Sequence, residues 1–170
     1  MLQQGSHKSY RPLTTLSYRL DWSRNPSPSQ FHTTNIFLHV LATVLYVRFC
    51  RGWVSRGTGL LAGLLFAVHP VHVEAVAGIA GRADVLCTVL FLLCLLKHRE
   101  RGWTIWTLVL ASLSMLAKEQ GVTVLGVCAV LDVLSRRSGL EVRRSLLKLF
   151  SSILILLSIR SIALGNKSIL

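Results

Sequence analysis

The 170 residues are 52% hydrophobic and only 15% charged, with a formal net charge of +12. Soluble domains average about a quarter charged, so this deficit, with a mean hydropathy of +0.55, places the chain among integral membrane proteins. The positive excess does not point to nucleic acid, because most of it falls in short connectors between apolar runs, where Lys and Arg set topology.

Residues 1–30 are polar, contain Pro12, Pro26 and Pro28, and hold no apolar core of signal-peptide length. They read as a luminal loop. Within it Leu13, Leu16 and Leu20 have helical spacing, and Tyr10, Tyr18 and Trp22 suit a membrane interface. A short amphipathic piece over 13–20 is therefore expected to lie on the bilayer.

Residues 31–47 form the first spanning candidate, closed by Arg48 and Arg51. His32, Asn35 and His39 share one face of it; they either bond a neighbouring helix or snorkel, or form a stripe facing a cavity. A loop over 51–57 and an apolar run over 58–68 lead to a different kind of segment. Residues 69–84 carry His69, His72, Glu74, Arg82 and Asp84 between two apolar runs. Ionisable groups at hydrocarbon depth are costly and mark function by default. Pro70, Gly78 and Gly81 break regular helix, which membranes tolerate only where backbone is buried in protein or lines a wet cavity. The segment is expected to line a polar cavity at one face of a helical bundle.

The next run, 85–96, has twelve residues, short of the roughly 20 that span a bilayer. Either 74–96 is one helix bearing Arg82 and Asp84, or the bundle thins the membrane locally. Further runs at 103–117, 122–134 and 149–159 complete an all-α, polytopic bundle of about six transmembrane helices over residues 31–164, with 165–170 as a luminal tail. Cys50, Cys87, Cys94 and Cys128 lie in or beside these runs without metal or redox spacing. They read as packing residues, and no metal site is expected.

Alternate connectors fix the orientation. Those at 48–57, 97–101 and 135–148 hold eleven Lys and Arg, whereas 81–84 and 118–121 hold only Arg82 and Lys118. The first set is expected in the cytosol, and the 69–84 segment, Lys118 and Glu119 on the luminal side. Residues 1–30 would then be luminal despite Lys8, Arg11, Arg19 and Arg24, so a helix upstream of Met1 is expected. Asn166-Lys167-Ser168 is a sequon at the luminal end.

Taken in order, Tyr10-Arg11-Pro12-Leu13-Thr14, Phe31-His32 with Asn35 and His39, the block from Ala67 to Asp84, and Leu116-Ala117-Lys118-Glu119-Gln120-Gly121-Val122-Thr123 closely resemble the transmembrane and tetratricopeptide-repeat-containing protein family. The resemblance covers most of residues 6–165, and its His69-Pro70 to Gly81-Arg82-Ala83-Asp84 block is highly specific. It implies a multi-pass endoplasmic-reticulum protein with a GT-C type membrane module. The implied activity is protein O-mannosyl transfer from dolichyl-phosphate mannose to Ser/Thr of cadherin-type domains, with no cofactor beyond that donor. It also implies an acidic luminal loop holding the catalytic carboxylate upstream of Met1, and tetratricopeptide repeats beyond residue 170. Truncation at both ends is therefore expected.

Sugar transfer from a lipid phosphate needs a base for the acceptor hydroxyl and cations for the leaving phosphate. Arg82 and Lys118 are the candidates for the donor phosphate. His69, His72, Glu74 and Asp84 are the candidates for catalytic hydrogen bonds or a proton relay, with Glu119, His32 and His39 in support. Two simpler arrangements compete: Arg82–Asp84 and Lys118–Glu119 as ion pairs that fix helices, and Asp132 as a structural carboxylate. Transporter or channel and non-catalytic scaffold are the rival classes. Transporter sites lie near the midplane on broken helices of paired repeats, and no repeat is visible here.

Overall fold

The computed structural model describes residues 11–135 and 139–165, with helices and no strand among them. Lys8 and Tyr10, Arg136 and Arg137, and the tail with its Asn166 sequon lie outside the described residues.

Prolines and hydroxyls set the helix ends. Helix α1, Pro12–Arg24, starts on a proline whose missing amide costs nothing in a first turn. It stops at Asn25, extended as the residue before a proline must be. The Ser27 hydroxyl accepts the Gln30 amide (3.4 Å) to cap α2, Pro28–Cys50. Ser55 caps α3, Arg56–Val68, which ends where His69 turns extended ahead of Pro70. The break expected after it is present as a 3-10 turn Pro70–His72, a five-residue α4, Val73–Ala77, and a second 3-10 turn Ile79–Gly81. Helix α5, Arg82–Arg101, carries Arg82 and Asp84 in its first turn. The single helix expected over 74–96 is not formed, because the chain breaks at Gly78 and Gly81; the 85–96 run instead gains length through Arg82–Asp84 before it and Lys97–Arg101 after it. Gly102, at φ 67°, closes it by giving its amide to the His98 carbonyl (2.7 Å). Then follow α6, Ile105–Ala117, a 3-10 turn Glu119–Thr123, α7, Val124–Leu134, and α8, Gly139–Gly165.

Two stretches among the described residues are long and apolar enough to cross a membrane, Pro28–Cys50 and Ile79–Arg101. Helix α3 with Pro70–Ala77, bent by 48°, makes a third if the pair is one span. The outer surface of the bundle suits lipid, since Ile36, Phe37, Val40 and Val44 of α2, Leu60, Leu64 and Leu65 of α3, Trp106 of α6 and Val130 of α7 are all exposed.

Contacts sort the helix ends into two sets. Asn35 of α2, Gly78, Arg82 of α5, Ala117 of α6 and Thr14 of α1 meet at one end. Phe49, Arg99, His98, Trp103 and Asp132 meet at the other. Helices α2, α3, α5, α6 and α7 therefore alternate in direction between a polar end and a basic end. Between these ends the interior is apolar, with Ala42, Leu45, Val89, Leu92 and Leu96 packed in one cluster. Cys94, Ala111, Met115, Val124, Leu125 and Cys128 form part of a second. The four cysteines are free, three of them buried, as packing residues should be. At the turn after α6, a side chain on Gly121 would collide with the backbone of Ser114, so only glycine lets α7 fold back this closely.

The basic end is closed by a buried carboxylate. Asp132 accepts from His98 Nε2 (3.1 Å), Trp103 Nε1 (2.8 Å) and Ser145 Oγ (2.7 Å), tying α5, the α5–α6 turn, α7 and α8. Breaking a buried pair strands its partners, at about 3–5 kcal/mol. Asp132→Ala is thus expected to lower the unfolding midpoint of the detergent-solubilised chain strongly, read by tryptophan fluorescence. Glu100→Ala, removing the exposed contacts to Lys97 and Arg48, is expected to leave it nearly unchanged.

Candidate active site at the polar end

Arg82 is the largest fully buried side chain at this end. Its guanidinium pairs with Asp21 of α1 (2.6 Å). It also donates to Asn35 Oδ1 (2.8 Å), the Phe31 carbonyl (3.0 Å) and the Ser17 carbonyl (3.2 Å). Tyr18 and Phe31 cover its faces, with ring centres 4.6 and 5.5 Å away. Asn35 completes the junction by donating to the Gly78 carbonyl (3.1 Å). A residue expected at the donor phosphate is instead enclosed by protein and joins α1, α2 and α5.

The surface helix expected over 13–20 is α1, and its polar stripe is the side turned inward. Arg11 meets Glu119 (3.2 Å), Thr14 donates to the Ala117 carbonyl (2.8 Å), Tyr18 donates to the Ile79 carbonyl (2.6 Å), and Asp21 meets Arg82. Burial holds the Tyr18 phenol above its usual value, while Arg82 and Arg11 pull it down, so it stays a neutral donor. Leu16, Leu20 and Trp22 face outward. Asp21 is the residue that sequence reasoning missed. Its signal was the recurrence of 11, 14, 18 and 21 at helical spacing, all polar, beside the apolar 13, 16 and 20.

Asp84, two residues beyond Arg82, pairs with the Lys118 ammonium. The ion pairs expected within Arg82–Asp84 and Lys118–Glu119 are replaced by Arg82–Asp21, Lys118–Asp84 and Arg11–Glu119. Positions i and i+2 on a helix point about 200° apart, so Arg82 faces the bundle while Asp84 faces a cleft. That cleft, about 410 Å³, is lined by Asp84 and Lys118 with Tyr46, Phe66, Phe91, Leu92 and Thr88 among others.

A second cleft of about 510 Å³ opens between α2 and the 67–77 segment. Ile36, Val68, Val73 and Val76 form its apolar wall, and His32, His39, His69 and His72 line it too. His39 donates to the Ala67 carbonyl (3.1 Å) and its ring lies 5.2 Å from that of His72. His72 packs on Phe66 (4.4 Å), which stacks on Tyr46 (4.7 Å). A void of about 80 Å³, lined by His39, His72, Phe66, Asp84 and Thr88, lies between the two clefts. The α2 stripe thus both bonds and lines: Asn35 bonds Gly78 of the broken segment and His39 bonds Ala67 of α3, while His32 and His39 line a cavity. His69 also accepts the Val71 amide through Nδ1 (3.2 Å), capping the turn it precedes. Glu74 is exposed and lies outside both linings. Among the described residues, no group of three or more His, Cys, Asp or Glu is placed to hold a metal ion.

This arrangement belongs to a sequence with well-marked relatives. The chain is 48% identical over 146 residues to mouse protein O-mannosyl-transferase TMTC2, covering 78% of this chain and 18% of that protein. It is 42% identical over 154 residues to human protein O-mannosyl-transferase TMTC1, covering 79% and 18%. The chain belongs to the TMTC family. It is also 42% identical over 158 residues to human protein O-mannosyl-transferase TMTC4, covering 76% and 21%. It therefore spans about a fifth of the length of these TMTC proteins. No family model matches, and no solved structure matches. Within this TMTC segment the Arg82 junction and the Asp84–Lys118 cleft are adjacent but chemically separate: one is closed by protein, the other open.

If Arg82 acts as a clamp, its loss should be relieved by neutralising the carboxylate it leaves behind. Arg82→Met is expected to destabilise the folded chain by about 3–5 kcal/mol. Arg82→Met with Asp21→Asn is expected to recover about 1–2 kcal/mol of that, in a double-mutant cycle on unfolding in detergent. Additive losses would separate the two residues.

Proposed function

We propose that this segment is part of the membrane module of an endoplasmic-reticulum protein O-mannosyltransferase, which moves mannose from dolichyl-phosphate mannose to Ser/Thr hydroxyls of secretory-pathway proteins. Cadherin-type domains are the acceptors proposed from the family resemblance. The module is proposed to be a GT-C-like bundle of about six crossings, supported by the alternating direction of its helices, with the polar end in the lumen and the basic end in the cytosol.

The observation that carries this reading is the Asp84–Lys118 pair at the edge of a cleft with aromatic and aliphatic walls. A lipid-linked sugar phosphate needs both features, a cation for the phosphate and an apolar channel for the isoprenoid. In the proposed reaction a base takes the proton of the acceptor hydroxyl. The hydroxyl oxygen then bonds to the anomeric carbon as the bond from that carbon to the phosphate oxygen breaks. Dolichyl phosphate leaves with the bonding electrons, its charge met by Lys118. Asp84 holds the ammonium in place, and His39 and His72, on the far side of Phe66, offer hydrogen bonds to the sugar or its acceptor. Arg82 serves by positioning α1 and α5. The base itself is proposed to sit in an acidic loop of the full-length protein, outside these residues.

A conduction path is less well supported. The charged groups stand at helix ends, and the interior between them is the apolar packing of Leu45, Val89, Leu92, Cys94 and Ala111.

The test uses a full-length TMTC protein carrying this segment, reconstituted with dolichyl-phosphate mannose and a luminal acceptor domain. Lys118→Ala is expected to lower the transfer rate by about 10²-fold, with membrane abundance unchanged. Lys118→Arg should retain a substantial part of the activity. Undiminished transfer by Lys118→Ala would remove it from the donor site.

A further inference from the structure

We infer that the basic end carries a second lipid site, separate from the cleft of Asp84 and Lys118: a pocket for an anionic glycerophospholipid of the adjoining leaflet. A cleft of about 610 Å³ lies between α2 and α3. Its polar lining includes Arg48 and Arg51 at the end of α2 and Arg99 near the end of α5, and its apolar lining includes Val44, Val47 and Leu60. Val44 and Leu60 are exposed on the same surface that α2 and α3 present to lipid. A phosphate among three guanidinium groups, with an acyl chain running up an apolar wall, matches this distribution of charge and surface.

The arginines are placed rather than loose. Arg99 donates to the Phe49 carbonyl (2.9 Å) and lies over Gly52, where any side chain would collide with its guanidinium. The Arg51 stem packs over Gly59, where an added carbon would stand 2.9 Å from its Cγ. Glycines at both positions let α2 and α3 approach while the two arginines keep their course across the gap. The cleft lining holds three arginines and no carboxylate, and Glu100, which Arg48 touches loosely (3.8 Å), is shared with Lys97 (3.0 Å), so the pocket keeps a net positive charge. Nothing in mannosyl transfer uses these residues, and the inference rests only on the chain being a membrane protein.

The test is native mass spectrometry of the purified chain in detergent, offered equal amounts of dioleoyl phosphatidylinositol 4-phosphate and dioleoyl phosphatidylcholine. The unmodified chain should retain the anionic lipid at least about tenfold over phosphatidylcholine, with each arginine worth about fivefold. Arg48→Gln/Arg51→Gln/Arg99→Gln should bring the ratio near parity. Because Arg99 also holds the α2–α3 turn, Arg48→Gln/Arg51→Gln is the companion variant, both side chains being exposed, and it should lose at least about fivefold. Removing the same charge elsewhere, with Arg143→Gln/Arg144→Gln/Lys148→Gln, should leave the ratio unchanged. Equal loss in that control, no preference in the unmodified chain, or displacement of the lipid by millimolar inorganic phosphate alone would each overturn the assignment.

Discussion

One buried guanidinium determines how the polar end is built. A charge withdrawn from water is tolerable only when it is paired and its donors are filled, and Arg82 meets that demand with one carboxylate, one amide oxygen, two carbonyls and two aromatic faces. Those partners come from α1 and α2, so satisfying Arg82 brings three helices together. The same requirement fixes what lies next to it. With Arg82 directed into the bundle, Asp84 must face the other way, and there it meets Lys118.

The two ends of the bundle use buried charge for different purposes. At the basic end, Asp132 is enclosed with His98, Trp103 and Ser145 and lines none of the clefts. At the polar end the enclosed group stands beside clefts that keep charged and imidazole groups accessible. Rigid support adjoining an open site fits the proposed transfer, in which donor and acceptor must be held in one geometry. The histidines contribute in the same spirit: His39 is anchored on Ala67, and its ring and that of His72 are packed with Phe66 between the two clefts.

Much of this was legible from residue order alone. The alternation of basic and sparse connectors placed 69–84 and 118–121 together, and they do meet through Asp84 and Lys118. Pro70 and the glycines after it announced irregular backbone, found as short helices and 3-10 turns. Partner choice was not legible. Proximity in sequence suggested Arg82–Asp84, whereas the partner is Asp21, sixty-one residues earlier, in a stretch that looked like a loop. Helix α1 hid its role because its polar side faces protein while Leu16 and Leu20 face outward, the reverse of a soluble amphipathic helix. The apolar runs read at 103–117 and 122–134, by contrast, are found nearly as read, as α6 and α7 of thirteen and eleven residues.

The dependence of the polar end on Arg82 can be measured by cross-linking α1 to the turn after α6 in membranes. Arg11→Cys and Glu119→Cys put thiols at two positions in contact across that junction, in a chain whose partly exposed native thiol is removed by Cys50→Ser. A short bis-maleimide should join them efficiently, since Arg82 holds α1 in place without the Arg11–Glu119 pair. Adding Arg82→Met should abolish the cross-link while the Asp132 end stays folded. A cross-link that survives Arg82→Met would contradict the central place given to that guanidinium.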